Sequence, residues 1–300
     1  MATITQTRTR QIVSPSFLAG FRDFSAGGVF NRRFVFSVIV FLVIAAFGFL
    51  GPVLLDRSDP LITVGGLYDP PSSTAWLGTD NFGRDVFTQL MHGTRTSLII
   101  GLIAGTVATL IGLVIGTVAG YVGGVVEELL MAFTNVIITI PSIVILILLS
   151  IAINSRSIEA MGFIIGVTSW PWTARAVRAQ ASSLRTREYV DIARLSGAGT
   201  LSLIVSEIIP FMLTYVVMAF VLQLSSGILQ EAALSMLGLG PSNNVSLGIM
   251  LQWSLLWESV RTGAWWAFVP PTLLLTLIAF SLLLLQSSID EIFNPRLRRA

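Results

Sequence analysis

Six stretches of this 300-residue chain, at roughly 34–55, 97–119, 129–152, 159–175, 208–230 and 265–287, are hydrophobic and carry no charge through their central portions. Most approach the about 20 residues that an α-helix needs to cross the hydrocarbon of a bilayer. The fourth is short and contains Pro171, so its ends are the least defined. With 54% hydrophobic and 11% charged residues, and a mean hydropathy of +0.82, the chain is too apolar for a soluble domain of its length. The expectation is an all-α polytopic membrane protein with six transmembrane helices. Proton-coupled carriers and intramembrane metal enzymes need ionisable groups at mid-membrane, and the cores of these runs hold no Asp, Glu, Arg or His. A channel built from them would have no charged selectivity ring.

Arginine supplies all 18 basic residues, and lysine is absent. A Walker A loop sets a lysine on the nucleotide phosphates, and Schiff-base chemistry needs its amine. The chain is therefore expected to bind no cofactor and to be no enzyme by itself, with any ATP chemistry on a partner. There is no cysteine for a disulfide or a thiolate site, and His92 is the only histidine, so neither a catalytic triad beside a metal ligand nor a zinc HExxH site can be assembled.

Arginine also sets the orientation. With an even number of spans, the N-terminal segment 1–33, the loop 176–207 and the tail 291–300 lie on one side of the six-helix domain 34–290. That side holds thirteen arginines, Arg175 included, whereas the other holds Arg57, Arg84, Arg95, Arg156 and Arg261. Both termini and the 176–207 loop are thus expected to be cytoplasmic. No small-residue cleavage site follows the first apolar run, so that run reads as a retained anchor. Phe17, Leu18, Phe21 and Phe24 recur at helical spacing, which suits a helix lying on the membrane surface, and a disordered tail is equally compatible.

Between the fourth and fifth runs lies a polar insert, Thr186 to Pro210, TREYVDIARLSGAGTLSLIVSEIIP. Arg187 to Ser196 reads as a short amphipathic helix with Val190 and Ala193 on one side, joined there by Ile192 or Leu195. Arg187, Asp191 and Arg194 stand at pairing distance on the other. Gly197 stops the helix and turns the chain, and Thr200 caps the next one. These residues resemble the cytoplasmic EAA signature of ABC importer permeases: Asp191-Ile192-Ala193, then Gly197, then Glu207-Ile-Ile-Pro210. Ile192 and Glu207 depart from that pattern. The resemblance implies a coupling helix seated in a groove of an ATPase subunit, with Arg187, Glu188, Asp191, Ala193 and Gly197 serving the contact. Asp191 has a second reading, a pair with Arg194 inside the helix.

Three further stretches extend the resemblance and narrow it. Trp76 to Phe87, WLGTDNFGRDVF, is similar to the WLGTDxxGRD segment of the C-type subunits of the peptide/nickel branch; Glu231 to Gly240 is similar to its E..LSFLGLG segment, and Asp290 to Arg299 to its tail. Asp80, Arg84 and Asp85 are expected to pair locally and fix the outer cap. Glu231 must find a partner or water, with helix capping and ion pairing to a facing permease as its candidate roles. Trp253, Trp257, Trp265 and Trp266 read as interfacial anchors. Gly101, Gly105, Gly112, Gly116 and Gly120 form a ridge for close helix packing, either within the chain or against a second permease. Pro141, Pro210 and Pro270-Pro271 are expected to kink or unwind their spans.

The family resemblance implies a prokaryotic plasma-membrane importer that works with a second permease, forming a heterodimer. One or two ATPase subunits would carry ATP and Mg, an external binding protein would deliver the substrate, lipid would surround the complex, and no nucleic acid would take part. It implies di- or oligopeptides as substrate, with nickel chelates or oligosaccharides as the alternative within the family. A stand-alone carrier or channel is the alternative outside it. Thr109, Asn135, Ser142, Gln223 and Ser226 are the expected path residues, facing the other permease across a central cavity. A reporter fused after Arg299 or within 187–200 is expected to read cytoplasmic, and one near Gly66 external; the reverse pattern would overturn the orientation.

Overall fold

The second hydrophobic run begins at a capped turn well before its first expected residue. In the computed structural model, which describes residues 32–153 and 155–293, Asp85 lies in extended backbone and its carboxylate accepts from the N–H groups of Phe87 and Thr88. That satisfies donors which a helix start leaves free. The described helices are α1 (Arg32–Leu54), α2 (Val86–Val122), α3 (Gly124–Thr139), α4 (Ser142–Ile153), α5 (Ile158–Arg185), α6 (Glu188–Leu195), α7 (Thr200–Leu239), α8 (Leu247–Leu256) and α9 (Trp265–Phe293). The described residues contain no β-strand beyond two isolated bridges, Thr63 with Arg84 and Thr79 with Asp85. The surface helix expected around Phe17 to Phe24 and the Pro295 to Ala300 tail lie outside the described residues.

A helix covers each of the six apolar runs. Among them α1, α2, α7 and α9 are long and apolar enough to cross a membrane, and α3 with α4 makes a fifth span if the pair is taken as one. Helix α5 is 28 residues long, but Glu159, Arg175, Arg178 and Arg185 dilute its apolar character. The helix itself continues past Arg175, the expected end of the fourth span, to Arg185. The 85° bend between α3 and α4 falls at Pro141. Proline has no N–H to give to Ile137 and forces the residue before it out of helical backbone. Accordingly Ile140 is extended, at φ −86° and ψ 126°. Pro210 acts differently: a π turn, Ile204–Ile208, precedes it, and the Ile209 N–H reaches back to the Ile204 carbonyl. Pro171, Pro270 and Pro271 are carried inside continuous helices.

The glycine ridge of α2 packs within the chain. A Cβ on Gly112 would meet Thr173 and Ala174 of α5, one on Gly116 would meet Ala174 and Val177, and one on Gly105 would strike the backbone of Leu224 on α7. Helix α5 answers with Gly162 and Gly166 against Ile103 and Val107. Two helices stripped of side chains along their seam approach backbone to backbone, which is how helices associate where lipid removes the hydrophobic drive. Around this three-helix centre, α1 and α9 pack on one flank and α3 and α4 on the other. Val86, Leu90, Leu98, Leu224, Ile228 and Ile278 form one buried cluster.

The 55–85 segment folds over the end of the bundle opposite α6. Thr79 holds it by accepting from the Asp69 N–H and donating to the Gly66 carbonyl, and Trp266 Nε1 donates to the Thr79 carbonyl at 3.0 Å. Phe82 meets Trp253 and Trp257 edge on. Three of the four tryptophans expected to anchor depth therefore pack against this cap. Gly116→Val is expected to lower stability by about 1–3 kcal/mol, because the new side chain must displace α5 backbone. Gly199→Ala, at φ −72° with open space around it, is expected to be neutral or slightly stabilising. Thermal unfolding of the purified protein in detergent checks both.

Candidate functional site

Helix α6 hangs from the bundle by one face. Val190 is fully buried, packed with Tyr121, Val177, Leu203, Ile208 and Met212, and Ala193 is half-buried against the same cluster. Ile192 and Leu195 were open alternatives for that face; both point away from it, 64% and 88% exposed, and Leu201 beyond the turn is 75% exposed. A bare apolar tip beside solvated charges is a surface made for a partner. Arg187 stands at the N-cap position without a capping bond, and Glu188 and Asp191 fill the first turn, where the helix dipole favours carboxylates. Asp191 pairs with Arg194 at 3.0 Å, the in-helix reading, and Arg194 also approaches the Tyr121 hydroxyl at 3.5 Å.

Gly197 has φ +88°, a backbone region that side chains make costly. With it in place the Ala198 N–H reaches the Ala193 carbonyl and closes the end of α6. Tyr189, unremarked in the sequence, stacks on Phe211 at 4.6 Å, just after Pro210. Burial pushes its phenol above the ordinary tyrosine range. This ring pair ties α6 directly to the spanning part of α7.

Along that helix a cavity of about 550 Å³ opens where α3 breaks from α4. Ser142, Gln223 and Ser226 line it, joined by Ser169, Trp172 and Gln230, and its wall contains no charged side chain. Gln223 Nε2 donates to the Ser169 carbonyl at 3.0 Å and to Thr173 Oγ1 at 2.7 Å. Gln230 Nε2 donates to Ser226 at 2.9 Å and to Ser169 Oγ at 3.2 Å. Two of the expected path residues do not line this cavity. Thr109 is 5% exposed and off the cavity wall. Asn135 accepts both Nε and Nη2 of Arg175 through one oxygen. Gln230 stands two α-helical turns after Gln223, a spacing that could have marked it.

The four residues expected at the outer face have separate tasks. Asp80 accepts from the N–H groups of Phe82 and Arg84 and from Gln89 Nε2, and Asp85 caps α2 while pairing with Arg57. Among the described residues the Arg84 guanidinium forms no ion pair, and it lies over the rings of Phe82 and Trp253 at 4.4 and 5.3 Å. Glu231 corrects both of its expected roles: it is fully buried inside the chain and accepts from Ser97, Ser235 and Ser246 at 2.8, 2.6 and 2.7 Å. Ser97 also accepts the Leu247 N–H and Ser246 caps α8, so one carboxylate joins α2, α7 and α8.

Comparison with known proteins identifies the family. A family model described as "Binding-protein-dependent transport system inner membrane component" matches residues 112–299. A putative peptide transport system permease protein of Brucella abortus is 31% identical over 271 residues, 89% of each chain. The dipeptide transport system permease protein DppC of Bacillus subtilis is 30% identical over 273 residues, 90% of this chain and 83% of the relative. The oligopeptide transport system permease protein OppC of Mycobacterium tuberculosis is 28% identical over 270 residues, 89% and 92% of the two chains. With most of its length matched and its helices long and apolar enough to pass the bilayer repeatedly, the chain belongs to the inner membrane components of binding-protein-dependent transport systems.

Proposed function

We propose that this chain is one of two permease subunits of an ATP-driven importer of di- or oligopeptides. The observation that carries this reading is a single physical connection. Helix α6 presents the bare Ile192 and Leu195, is tied through Tyr189 and Phe211 to α7, and α7 carries Gln223, Ser226 and Gln230 on the cavity wall. A force applied at the tip therefore reaches the cavity through one helix. In this reading six helices span the membrane, α5 with the others, both termini and α6 are cytoplasmic, and residues 1–33 and 291–300 flank the six-helix domain. Separate ATPase subunits bind ATP and Mg, take Ile192, Leu195 and the neighbouring Arg187, Glu188 and Asp191 in a groove, and move α6 on closure.

The second permease is a different chain that completes the cavity, and an external binding protein delivers the substrate. Peptide as substrate follows from the peptide, dipeptide and oligopeptide transport systems for which the relatives are named. It suits a largely apolar wall set with amide and hydroxyl groups, which can exchange hydrogen bonds with a peptide backbone irrespective of side chain.

The test is uptake by the complete complex in liposomes. Gly197→Val adds no clash, since nothing lies within 4 Å of the new Cβ, but it strains a left-handed turn by about 1–2 kcal/mol. It is expected to abolish peptide-stimulated ATP hydrolysis and uptake while the chain remains inserted and the binding protein keeps its affinity. Leu195→Asp is expected to prevent copurification of the ATPase subunits. Normal coupled uptake by an assembled Gly197→Val complex would sink the lever.

A further inference from the structure

Three arginines of α5 reach across to α3 or to the corner that precedes it, and they are held in different ways. Arg178 meets Glu127 at 2.8 Å. Arg185 donates to the Val122 carbonyl, at the negative end of the α2 dipole. Arg175 has only Asn135, whose single amide oxygen takes Nε at 3.1 Å and Nη2 at 2.6 Å. Its charge is therefore not neutralised by any described ion pair.

The position of this clasp gives it meaning. Arg175 lies about 15 Å before the end of α5, counting 1.5 Å per residue, and its side chain is exposed. Pro171 and Trp172, one turn earlier on the same helix face, line the cavity. On the facing helix Ile138 lines it, one turn after Asn135. The pair thus closes α3 against α5 at the α6 end of the cavity, and it supplies a positive charge beside a wall that has none. A neutral amide is a weak partner for a guanidinium. A carboxylate takes two parallel N–H bonds from the same fork, each roughly twice as strong as a neutral one.

We propose that Arg175 reads the carboxylate of the passing substrate, with Asn135 holding the guanidinium in place until that carboxylate displaces it and frees α3 from α5 at the mouth of the cavity. This rests on the peptide-importer reading given above. The carboxylate can belong to the peptide terminus or to an acidic side chain.

The experiment uses the complete complex in liposomes and three probes at saturating concentration: trialanine, trialanine amide and Ala-Glu-Ala amide. Each variant is compared with the unmutated complex on the same probe, which cancels the preference of the binding protein. Arg175→Gln is expected to slow trialanine uptake at least about tenfold and to leave trialanine amide within about twofold, with partial recovery in Arg175→Lys. Asn135→Ala removes the competing acceptor and is expected to retain trialanine uptake. Asn135→Asp supplies an internal carboxylate and is expected to slow it. Which of the two carboxylate probes slows in Arg175→Gln identifies the terminus, the side chain or both. Equal loss on all three probes, equal loss in Arg175→Gln and Asn135→Ala, or unchanged trialanine uptake in Arg175→Gln would overturn the proposal and leave Arg175 a staple between helices. No uptake of any probe by the unmutated complex would instead overturn the peptide reading, and this proposal with it.

Discussion

Backbone contact along α2 is the constraint on which the rest of the molecule depends. In a bilayer, turning a leucine face inward gains little, because lipid tails solvate it as well as protein does. What remains is dispersion between closely fitted surfaces, small for each atom pair and large in sum. Gly105, Gly112 and Gly116 let α5 and α7 come within contact of the α2 backbone. The separation of those two helices is thereby set, and with it the width of the cavity that their other faces enclose with α3 and α4.

Many polar groups buried in this frame are answered within it, although the hydroxyls of Thr109 and Thr117 on α2 find no hydrogen-bond partner among the described residues. Glu231 has three hydroxyl donors and Gln223 Nε2 has two acceptors. Leaving any of them unmatched would cost on the order of 1–3 kcal/mol away from water. Such groups fix register where glycine packing alone would allow sliding. Ser97 accepts the Leu247 N–H while donating to Glu231, so the short α8 can sit at one height on α2 only. Asp80 and Thr79 do the same for the 55–85 segment through backbone N–H and carbonyl groups.

The long apolar helices were legible because membrane thickness sets the length of such runs and the glycine ridge has a period of its own. The turn after α6 was legible because only glycine takes φ +88° without strain. Reading stopped where tertiary partners decide. Arg175 looked like a boundary since charges usually end spans, whereas here an amide on another helix receives it. Thr109 and Asn135 shared their polarity with Ser142 and Gln223, and only packing separates the two pairs. Ile192 and Leu195 fit the apolar side of α6 by periodicity, yet the helix is too short to bury more than the face around Val190. Tyr189 and Phe211 are far enough apart in sequence that no local pattern links them.

The cations that close the seam between α3 and α5 at the α6 end are all guanidinium groups, one of them paired with the Glu127 carboxylate, and no ammonium or imidazole is among the described contacts. A guanidinium keeps its proton at every pH a cell meets. The positive charge that α5 brings to this seam is consequently a constant of the molecule. What varies along the seam is only the group each cation meets: a carboxylate for Arg178, a backbone carbonyl for Arg185 and a neutral amide for Arg175.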